Sequence, residues 1–543
     1  MAVIMVKLVA LLASVAAVQA DRDPILPFHE SARANANHIF NAIHSAGRQW
    51  GSSLNHNGFG FIPVVVPAGT SFYHGGYAKE PPKGPEWLAF EVEHAEYFAR
   101  PMPRGPGGPG RHPPCPPEGE QLHPVADQEE MYSGSCEREK GQVRGYLQTY
   151  HTTRDIQLLY LDGTSAGKAD IGTLDSQDEV LCQNNSVQGI SQGEMQRAKA
   201  LCDMVTEWGW DGIMRMEVGF EVIYCNFSAG LHLDSSLRTL LTEDKLKDDA
   251  DLIPLWLRAA AERYDGIGGD RVKMDFSSMV SGFFFPINIS STDPERPDLI
   301  RLGAARREHL QDIKAYIQSV FVEPRKFVVN WQAVVDMIIT RFDKRLAAMA
   351  STRVSADQFI SELESATLTY YEAPGAPGDI TPATDEDDKN RTAEAIDRCA
   401  AHYLTPALSK QQDWTLSDAL IHTALKVVTQ RMCGDLFLMR AILLQATANA
   451  APDAYLIKRG VKSTAMGNAV DQSQAIARTL VRELAWTTWK RPHLCSEEEV
   501  LLVAMWPIGD SVDHFHPGCV SFEEASADRR SYWRPYERRP RPE

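Results

Sequence analysis

The chain has 543 residues, of which 43% are hydrophobic, and it carries a formal net charge of −17. This length and apolar content allow roughly two to four domains with sizeable cores. The acidic balance argues against nucleic acid as a partner, because non-specific phosphate binding requires a basic surface.

The first segment, 1–20, has the layout of a secretory signal peptide. A lysine at position 7 precedes an apolar run, which is followed by a cleavage-site pattern with small residues, Val18-Gln-Ala20. The apolar run is shorter than the roughly 20 residues that a membrane span needs. We therefore expect a secreted protein without a transmembrane segment. Sequons for N-glycosylation agree with this route and begin at Asn184, Asn226, Asn288 and Asn390.

Nine cysteines follow the expected signal peptide. In an oxidising compartment most of them should pair, and the odd number leaves at least one unpaired or bonded to another chain. Spacing suggests the pairs Cys115 with Cys136 and Cys182 with Cys202. No Cys-x-x-Cys motif occurs in the sequence, which argues against a zinc ribbon or a thioredoxin-like site.

The amino-terminal half combines short strands with few helices. Residues 21–60 form a predicted helical segment with a single helix from His29 to Gln49, in which Ile39, Phe40 and Ile43 share one face. Residues 61–232 form a predicted α+β domain interrupted by a flexible Pro/Gly-rich loop, 100–142. Its strands are predicted at 61–66, 71–73, 87–90, 145–150, 156–161 and 220–225, and its helices at 91–100 and 192–208.

From about residue 255 the pattern changes to amphipathic helix. We predict a helical domain over 233–372 and 393–524, joined by an acidic linker at 373–392, and a disordered basic tail at 525–543. The fold class is therefore α+β with a mainly α-helical carboxy-terminal domain. The predicted helices span 306–320, 328–350, 356–368, 393–403, 416–450 and 473–489.

Three segments of the α+β domain carry a family resemblance. They are 66–75, which ends in Phe72-Tyr-His-Gly75, then 87–99, and Gly209-x-Asp-Gly-Ile213 followed by Phe220-Glu-Val-Ile-Tyr224. Together they resemble the ADP-ribosyltransferase fold, in its His-containing branch related to diphtheria toxin and poly(ADP-ribose) polymerase. The resemblance covers roughly 64–228 and implies an ADP-ribosyltransferase-like domain that uses NAD as substrate.

The resemblance also implies a role for each residue. His74 would bind a ribose hydroxyl, the backbone at Gly75 would contact the nicotinamide amide, Tyr97 would stack on the nicotinamide ring, and Glu221 would be the catalytic carboxylate. Cleavage of the nicotinamide–ribose bond develops positive charge on the sugar, which a carboxylate stabilises. The sequence departs from the family at 87–89, where no hydroxyl matches the family pattern.

Structural alternatives stand beside these roles. His74 could cap a strand at a turn, Tyr97 could belong to the core, and Glu221 is functional if its sheet face is buried but solvated if that face is exposed, with Glu217 as the alternative carboxylate. The sequence predicts a secreted NAD-dependent ADP-ribosyltransferase or NAD glycohydrolase acting on an unknown protein or small-molecule acceptor. The rival hypothesis is a non-catalytic secreted binding protein that keeps the fold.

Two weaker motifs do not change this interpretation. Gly163-Thr-Ser-Ala-Gly-Lys168 resembles a phosphate loop, but the spacing between its glycines is too short and Ala169 follows the lysine, so we predict a turn after a strand. Asp513-His-Phe-His516 with Cys519 could supply metal ligands, but no third cluster supports them. We expect no metal cofactor.

Overall fold

The computed structural model describes residues 22–99, 145–183, 190–240, 257–259, 266–267, 270–291, 293–372, 385–448, 457, 459–460, 463–491, 493–526 and 531–533. Several sequence predictions lie outside these residues. They are the signal peptide, the Pro/Gly-rich loop, the Cys115–Cys136 pair, the sequon at Asn184 and most of the acidic linker.

The amino-terminal segment contains three helices where the sequence predicted one. They are α1 (His29–Ala34), α2 (Ala36–Ser45) and α3 (Gln49–Leu54). The first break occurs at Asn35, which leaves the helical conformation (φ −104°, ψ 21°) while its side-chain amide donates to the carbonyl of Phe283. The second occurs at Gly47, whose φ of +67° is open to glycine but costly for other residues. The predicted apolar face of α2 is confirmed, since Ile39, Phe40 and Ile43 are fully buried.

A large mixed sheet follows. The strands are β1 (Asn57–Val66), β2 (Ser71–Gly76), β3 (Glu86–Ala89), β4 (Tyr146–Thr152), β5 (Ile156–Gly163), β6 (Gly212–Met216), β7 (Phe220–Tyr224), β8 (Leu231–Arg238), β9 (Lys273–Met274) and β10 (Val280–Ser281). They run in the order β10-β1-β5-β6-β7-β3-β2-β4-β8, with β9 also paired to β1. The β5–β6 pair is parallel and the other pairs are antiparallel. The predicted α+β class is confirmed.

Two helices cover one face of the central strands. Helix α4 (Val92–Phe98) packs on β2 so closely that a Cβ at Gly75 would lie 1.9 Å from the carbonyl oxygen of Ala95. Helix α5 (Ile190–Glu207) packs on β6 and is joined to the end of β7 by the disulfide Cys202–Cys225. These two contacts place α4 and α5 over the central strands that carry the candidate site.

The carboxy-terminal half is mainly helical but shares its core with the sheet. One continuous apolar cluster includes sheet residues and helix residues alike, and Phe40 of α2 stacks on Trp486 at 5.6 Å. The predicted helical region 233–372 is wrong at its start, because β8, β9 and β10 extend the sheet through residue 281. The helices are α6 (Arg307–Phe321), α7 (Trp331–Ala350), α8 (Ala356–Thr367), α9 (Asp385–Ala401), α10 (Thr405–Leu408), α11 (Leu416–Ala448) and α12 (Thr464–Leu484).

The carboxy-terminal part of the described residues contains a small hairpin unit, and its packing differs from the expected solvated tail. Tyr532 and Trp533 are 4% and 6% exposed, and the indole of Trp533 donates to the carbonyl of Ile508 at 2.9 Å. Aromatic side chains are therefore buried in a segment whose basic composition predicted disorder. The unit contains β11 (Glu499–Leu502), α13 (Ser511–Phe515), β12 (Gly518–Ser521) and α14 (Phe522–Ser526).

Disulfides join three cysteine pairs of the described residues: Cys202–Cys225, Cys399–Cys433 and Cys495–Cys519. The predicted Cys182–Cys202 pair is wrong, because Cys202 bonds to the end of β7 and Cys182 is a free thiol. The bond at Cys519 removes that residue from the weak carboxy-terminal metal motif. Among the helices of the described ranges, no segment is both long and apolar enough to cross a membrane.

Candidate functional site

Glu221 lies in the middle of the sheet on strand β7, and only 4% of it is exposed. Across the β6–β7 ladder it is paired with Arg215, whose Nε donates to Oε1 of Glu221 at 2.8 Å. Arg215 is itself completely buried. The carboxylate and the guanidinium stabilise each other in this position, because either charge left unpaired in the interior would be strongly destabilising.

Glu217, in the turn between β6 and β7, brings a second carboxylate to the same place. Lys168 follows β5 and donates from Nζ to Oε1 of Glu217 at 3.0 Å. His94 of α4 reaches both carboxylates, with its Nε2 3.6 Å from Oε2 of Glu217 and 4.0 Å from Oε2 of Glu221. Two carboxylates from one β-turn–strand segment thus meet one imidazole from the helix above.

Further charged and polar groups surround these side chains. They come from α5 and from the π-helical turn Ser176–Leu181. Arg215 also donates to Oε1 of Gln177 at 2.9 Å and to Glu194. Arg197 forms a two-bond contact with Asp178, at 2.7 and 3.0 Å, and a third bond to Glu194. We call the eight charged or titratable side chains of this network the charged cluster: His94, Lys168, Asp178, Glu194, Arg197, Arg215, Glu217 and Glu221.

The two central carboxylates titrate in opposite directions. Burial alone would raise the pKa of Glu217, but the ammonium of Lys168 and the nearby imidazole lower it to about 2. Burial raises the pKa of Glu221 above its usual value, because the opposing charge of Arg215 does not offset burial together with the negative charge of Glu217. Burial would lower the pKa of Lys168, but the carboxylate of Glu217 raises it.

The cluster approaches solvent on one side. The side chains of Lys168 and Glu194 are 20% and 18% exposed, whereas that of Arg215 is 1% exposed. The ammonium of Lys168 also lies 4.7 Å from the ring centroid of Trp506, a cation–π contact. Lys168 and Glu194 therefore mark the side from which a ligand could reach the buried carboxylates.

His74 does not face this cluster. The register pairs Tyr73 with Ala89 and Ala89 with Glu221, so the side chains of Tyr73 and Glu221 point to the same face of the sheet. His74 follows Tyr73 on the strand and therefore points to the other face. There its Nδ1 bonds to the carbonyl oxygen of Trp87 at 2.8 Å, and burial lowers its pKa.

The two remaining predicted residues lie on the cluster side but outside the cluster. Gly75 lies directly beneath α4, whose backbone covers the position of its absent side chain. Tyr97 is on α4, 37% exposed, with its ring in an edge contact with Phe98. The structure thus brings Glu221 together with the alternative Glu217, but not with His74, Gly75 and Tyr97 as one set of ligand contacts.

Sequence reasoning missed the partners that surround Glu221. The turn predicted at Gly163–Lys168 is confirmed, yet the importance of Lys168 lies in its contact with Glu217, 49 positions away. His94 stands in an acidic stretch, Glu91-Val-Glu-His-Ala-Glu96, which reads as a solvated helix. Arg215 offered the clearest signal, since a charge within Ile213-Met-Arg-Met216, an otherwise apolar run, implies a buried partner.

The charged cluster lies in a part of the chain that is similar to known proteins. Residues 28–251 match the family described as the YPL277C N-terminal domain, and this range contains the whole charged cluster. The chain is 28% identical over 411 residues to the uncharacterized protein YPL277C of Saccharomyces cerevisiae, covering 62% of this chain and 80% of the relative. It is 24% identical over an alignment of 564 residues to the uncharacterized protein YOR389W of the same yeast, covering 88% of this chain and 83% of the relative. No solved structure matches the chain.

Proposed function

We propose that the chain cleaves a C–N glycosidic bond of the kind that joins nicotinamide to ribose in NAD, with Glu221 and Glu217 at the reaction centre. The observation that supports this proposal is the pair of buried carboxylates whose Oε2 atoms face one imidazole at 3.6 and 4.0 Å. The nucleophile is water or an unknown protein or small-molecule acceptor. NAD enters this proposal as a substrate, through the resemblance of 64–228 to ADP-ribosyltransferases.

The chemistry requires negative charge that is already in place. The bond from the nicotinamide nitrogen to C1′ of the ribose breaks, its electron pair leaves with nicotinamide, and the nucleophile bonds to C1′ and loses a proton. Positive charge develops on the sugar in the transition state, so a fixed carboxylate stabilises the transition state more than the substrate. In a buried site this electrostatic effect is larger than in water.

Each residue of the cluster has a distinct role in this proposal. Oε1 of Glu217 is held by Lys168 and Oε1 of Glu221 by Arg215, so both carboxylates are oriented by cations before substrate arrives. Their Oε2 atoms remain directed at His94. The roles that the resemblance implies for His74 and Tyr97 are not needed, because neither side chain belongs to the cluster.

The proposed setting is extracellular. The disulfides of the described residues and the exposed asparagines of the sequons at Asn226, Asn288 and Asn390 agree with passage through a secretory compartment. The signal-peptide pattern of 1–20 supports the same route. We propose secretion on these combined grounds.

A non-catalytic binding protein is the second candidate, and one observation favours it. Both carboxylates already accept hydrogen bonds from cations, and such a network also fixes the packing of α5 on the sheet. In that case the cluster would be a structural element and the ligand would bind elsewhere.

The experiment that separates the two candidates is nicotinamide release from NAD by the purified secreted protein and three variants. We expect Glu221→Gln and Glu217→Gln each to reduce turnover by at least about 100-fold, the scale of losing one preorganised electrostatic group. The matched control is His74→Asn, whose amide can replace Nδ1 in the bond to Trp87, and we expect it to keep activity. Loss of activity in the control alone would restore the His74-centred hypothesis. No release by the wild type would favour the binding protein.

A further inference from the structure

The point where His94, Glu217 and Glu221 meet has the dimensions of a metal site. One nitrogen and two oxygen atoms, one from each side chain, all lie within 4.8 Å of one another. The two separations from Nε2 of His94, 3.6 and 4.0 Å, are longer than an ordinary hydrogen bond. Tetrahedral ligands about 2.1 Å from one ion are about 3.4 Å apart. The two separations from His94 exceed this spacing by about 0.2 and 0.6 Å. A contraction of that size would bring the imidazole and each carboxylate to the spacing of ligands around one ion, with a fourth position left for another ligand.

The surrounding groups already orient these atoms. Lys168 and Arg215 hold the Oε1 atoms of the two glutamates, which leaves both Oε2 atoms directed at the imidazole. The ring of His94 occupies the space above Gly219, where a Cβ would lie 3.0 Å from Nδ1. Partners that fix the far side of each ligand are a regular feature of protein metal sites.

The charge of the network also suits a cation. When all are ionised, four carboxylates (Asp178, Glu194, Glu217 and Glu221) face three cations (Lys168, Arg197 and Arg215). Apart from His94, the carboxylates therefore outnumber the cations by one. A low-dielectric interior strengthens the attraction of such a site for a positive ion.

We propose that His94, Glu217 and Glu221 bind a divalent transition-metal ion through Nε2 and the two Oε2 atoms. One imidazole and two carboxylates match the ligand preferences of zinc and similar ions, whereas magnesium and calcium favour oxygen ligands alone. The ion would occupy the place where positive charge develops on the sugar. If Glu221 and Glu217 form the proposed reaction centre, the ion would therefore compete with NAD.

The test is zinc binding by the full-length secreted protein after treatment with a chelator and dialysis. Calorimetric titration with Zn²⁺ and elemental analysis should both give about one ion per chain, with ligand distances near 2.1 Å in X-ray absorption. His94→Ala and Glu217→Gln should each weaken binding at least about 10-fold, the scale of losing even a supporting group of a metal site. His74→Asn, which changes a half-buried histidine on the opposite face, should bind as the wild type does.

Two outcomes would overturn the proposal. One is the absence of zinc binding and of any zinc-dependent rise in melting temperature in the wild type. The other is equal binding by the wild type and both ligand variants, which would place the ion elsewhere. Glu217→Gln keeps the size of the side chain, so it remains informative if His94→Ala does not fold. Because binding is measured without NAD, failure here leaves the glycosidic proposal intact, and absence of NAD cleavage leaves the metal site intact. Zinc that binds but accelerates nicotinamide release would refute the expected competition between zinc and NAD.

Discussion

Acid should destabilise this protein through two buried histidines, His56 and His514. They are 4% and 5% exposed and lie in edge contact, with ring centroids 5.0 Å apart. The ring of Tyr532, from the carboxy-terminal segment, stacks on His514 at 4.5 Å. Protonation of either imidazole would place a charge inside this aromatic packing.

Burial lowers the pKa of both groups from 6.5, to about 3 for His56 and about 2 for His514. The cations Arg296 and Lys490 lower them further, and Asp298 opposes the shift at His514 only weakly. Because the folded-state pKa values are depressed, the unfolded chain binds more protons once the pH falls below about 6.5. Stability is therefore full above that pH and is lost as the pH falls towards the folded values.

The expected loss can be worked out for pH 5. That pH lies about 1.5 units below the pKa of histidine in the unfolded chain and above both folded-state pKa values. One pKa unit corresponds to about 1.4 kcal/mol, so each histidine lowers the free energy of unfolding by about 2 kcal/mol. The pair should reduce the free energy of unfolding by about 4 kcal/mol between pH 7 and pH 5. Urea unfolding followed by tryptophan fluorescence at the two pH values measures this difference.

Matched variants isolate the contribution of His514. His514→Gln cannot be protonated, so about 2 kcal/mol of the pH-dependent difference should disappear. His516→Gln removes an exposed imidazole two residues away and should leave the difference unchanged. Equal stability of the wild type at pH 7 and pH 5, or a full difference retained in His514→Gln, would refute the argument.

Three further changes test the packing around the charged cluster by chemical unfolding. Gly75→Ala should lower the free energy of unfolding by about 1–3 kcal/mol, because the new Cβ would lie 1.9 Å from a backbone atom of α4. Gly84→Ala is the control, since a Cβ there would have no atom within 4 Å, and it should have little effect. Equal losses in the two variants would contradict the close packing at Gly75. Arg215→Met leaves buried carboxylates without their cation and should cost about 3–5 kcal/mol, so a loss below about 1 kcal/mol would show that the network is not buried. Replacing Cys202 and Cys225 together by Ser should cost about 3 kcal/mol, the value for a loop of this length, and unchanged stability would show that the bond is not formed.

Local patterns in the sequence determined most helices and the strongly apolar strands. The helix predicted from Leu416 to Ala450 is observed at Leu416–Ala448, because apolar residues at three- and four-residue spacing form a stripe that any packed helix buries. Apolar runs likewise located β1 and β5. The two-residue strands β9 and β10 carry no such pattern and exist only because they pair with β1.

In the candidate site, too, some features follow from local sequence and others depend on tertiary contacts. The position of Glu221 on a strand among apolar neighbours follows from the sequence alone, since alternation along one strand is a local property. The sequence could not determine the register between strands, and a shift of one residue moves every side chain to the other face. The pairing of Tyr73 with Ala89 and of Ala89 with Glu221 is a tertiary contact, and it separates His74 from Glu221. Only folding brings Lys168, His94 and Arg215 to the two glutamates, because each comes from a different element of the chain.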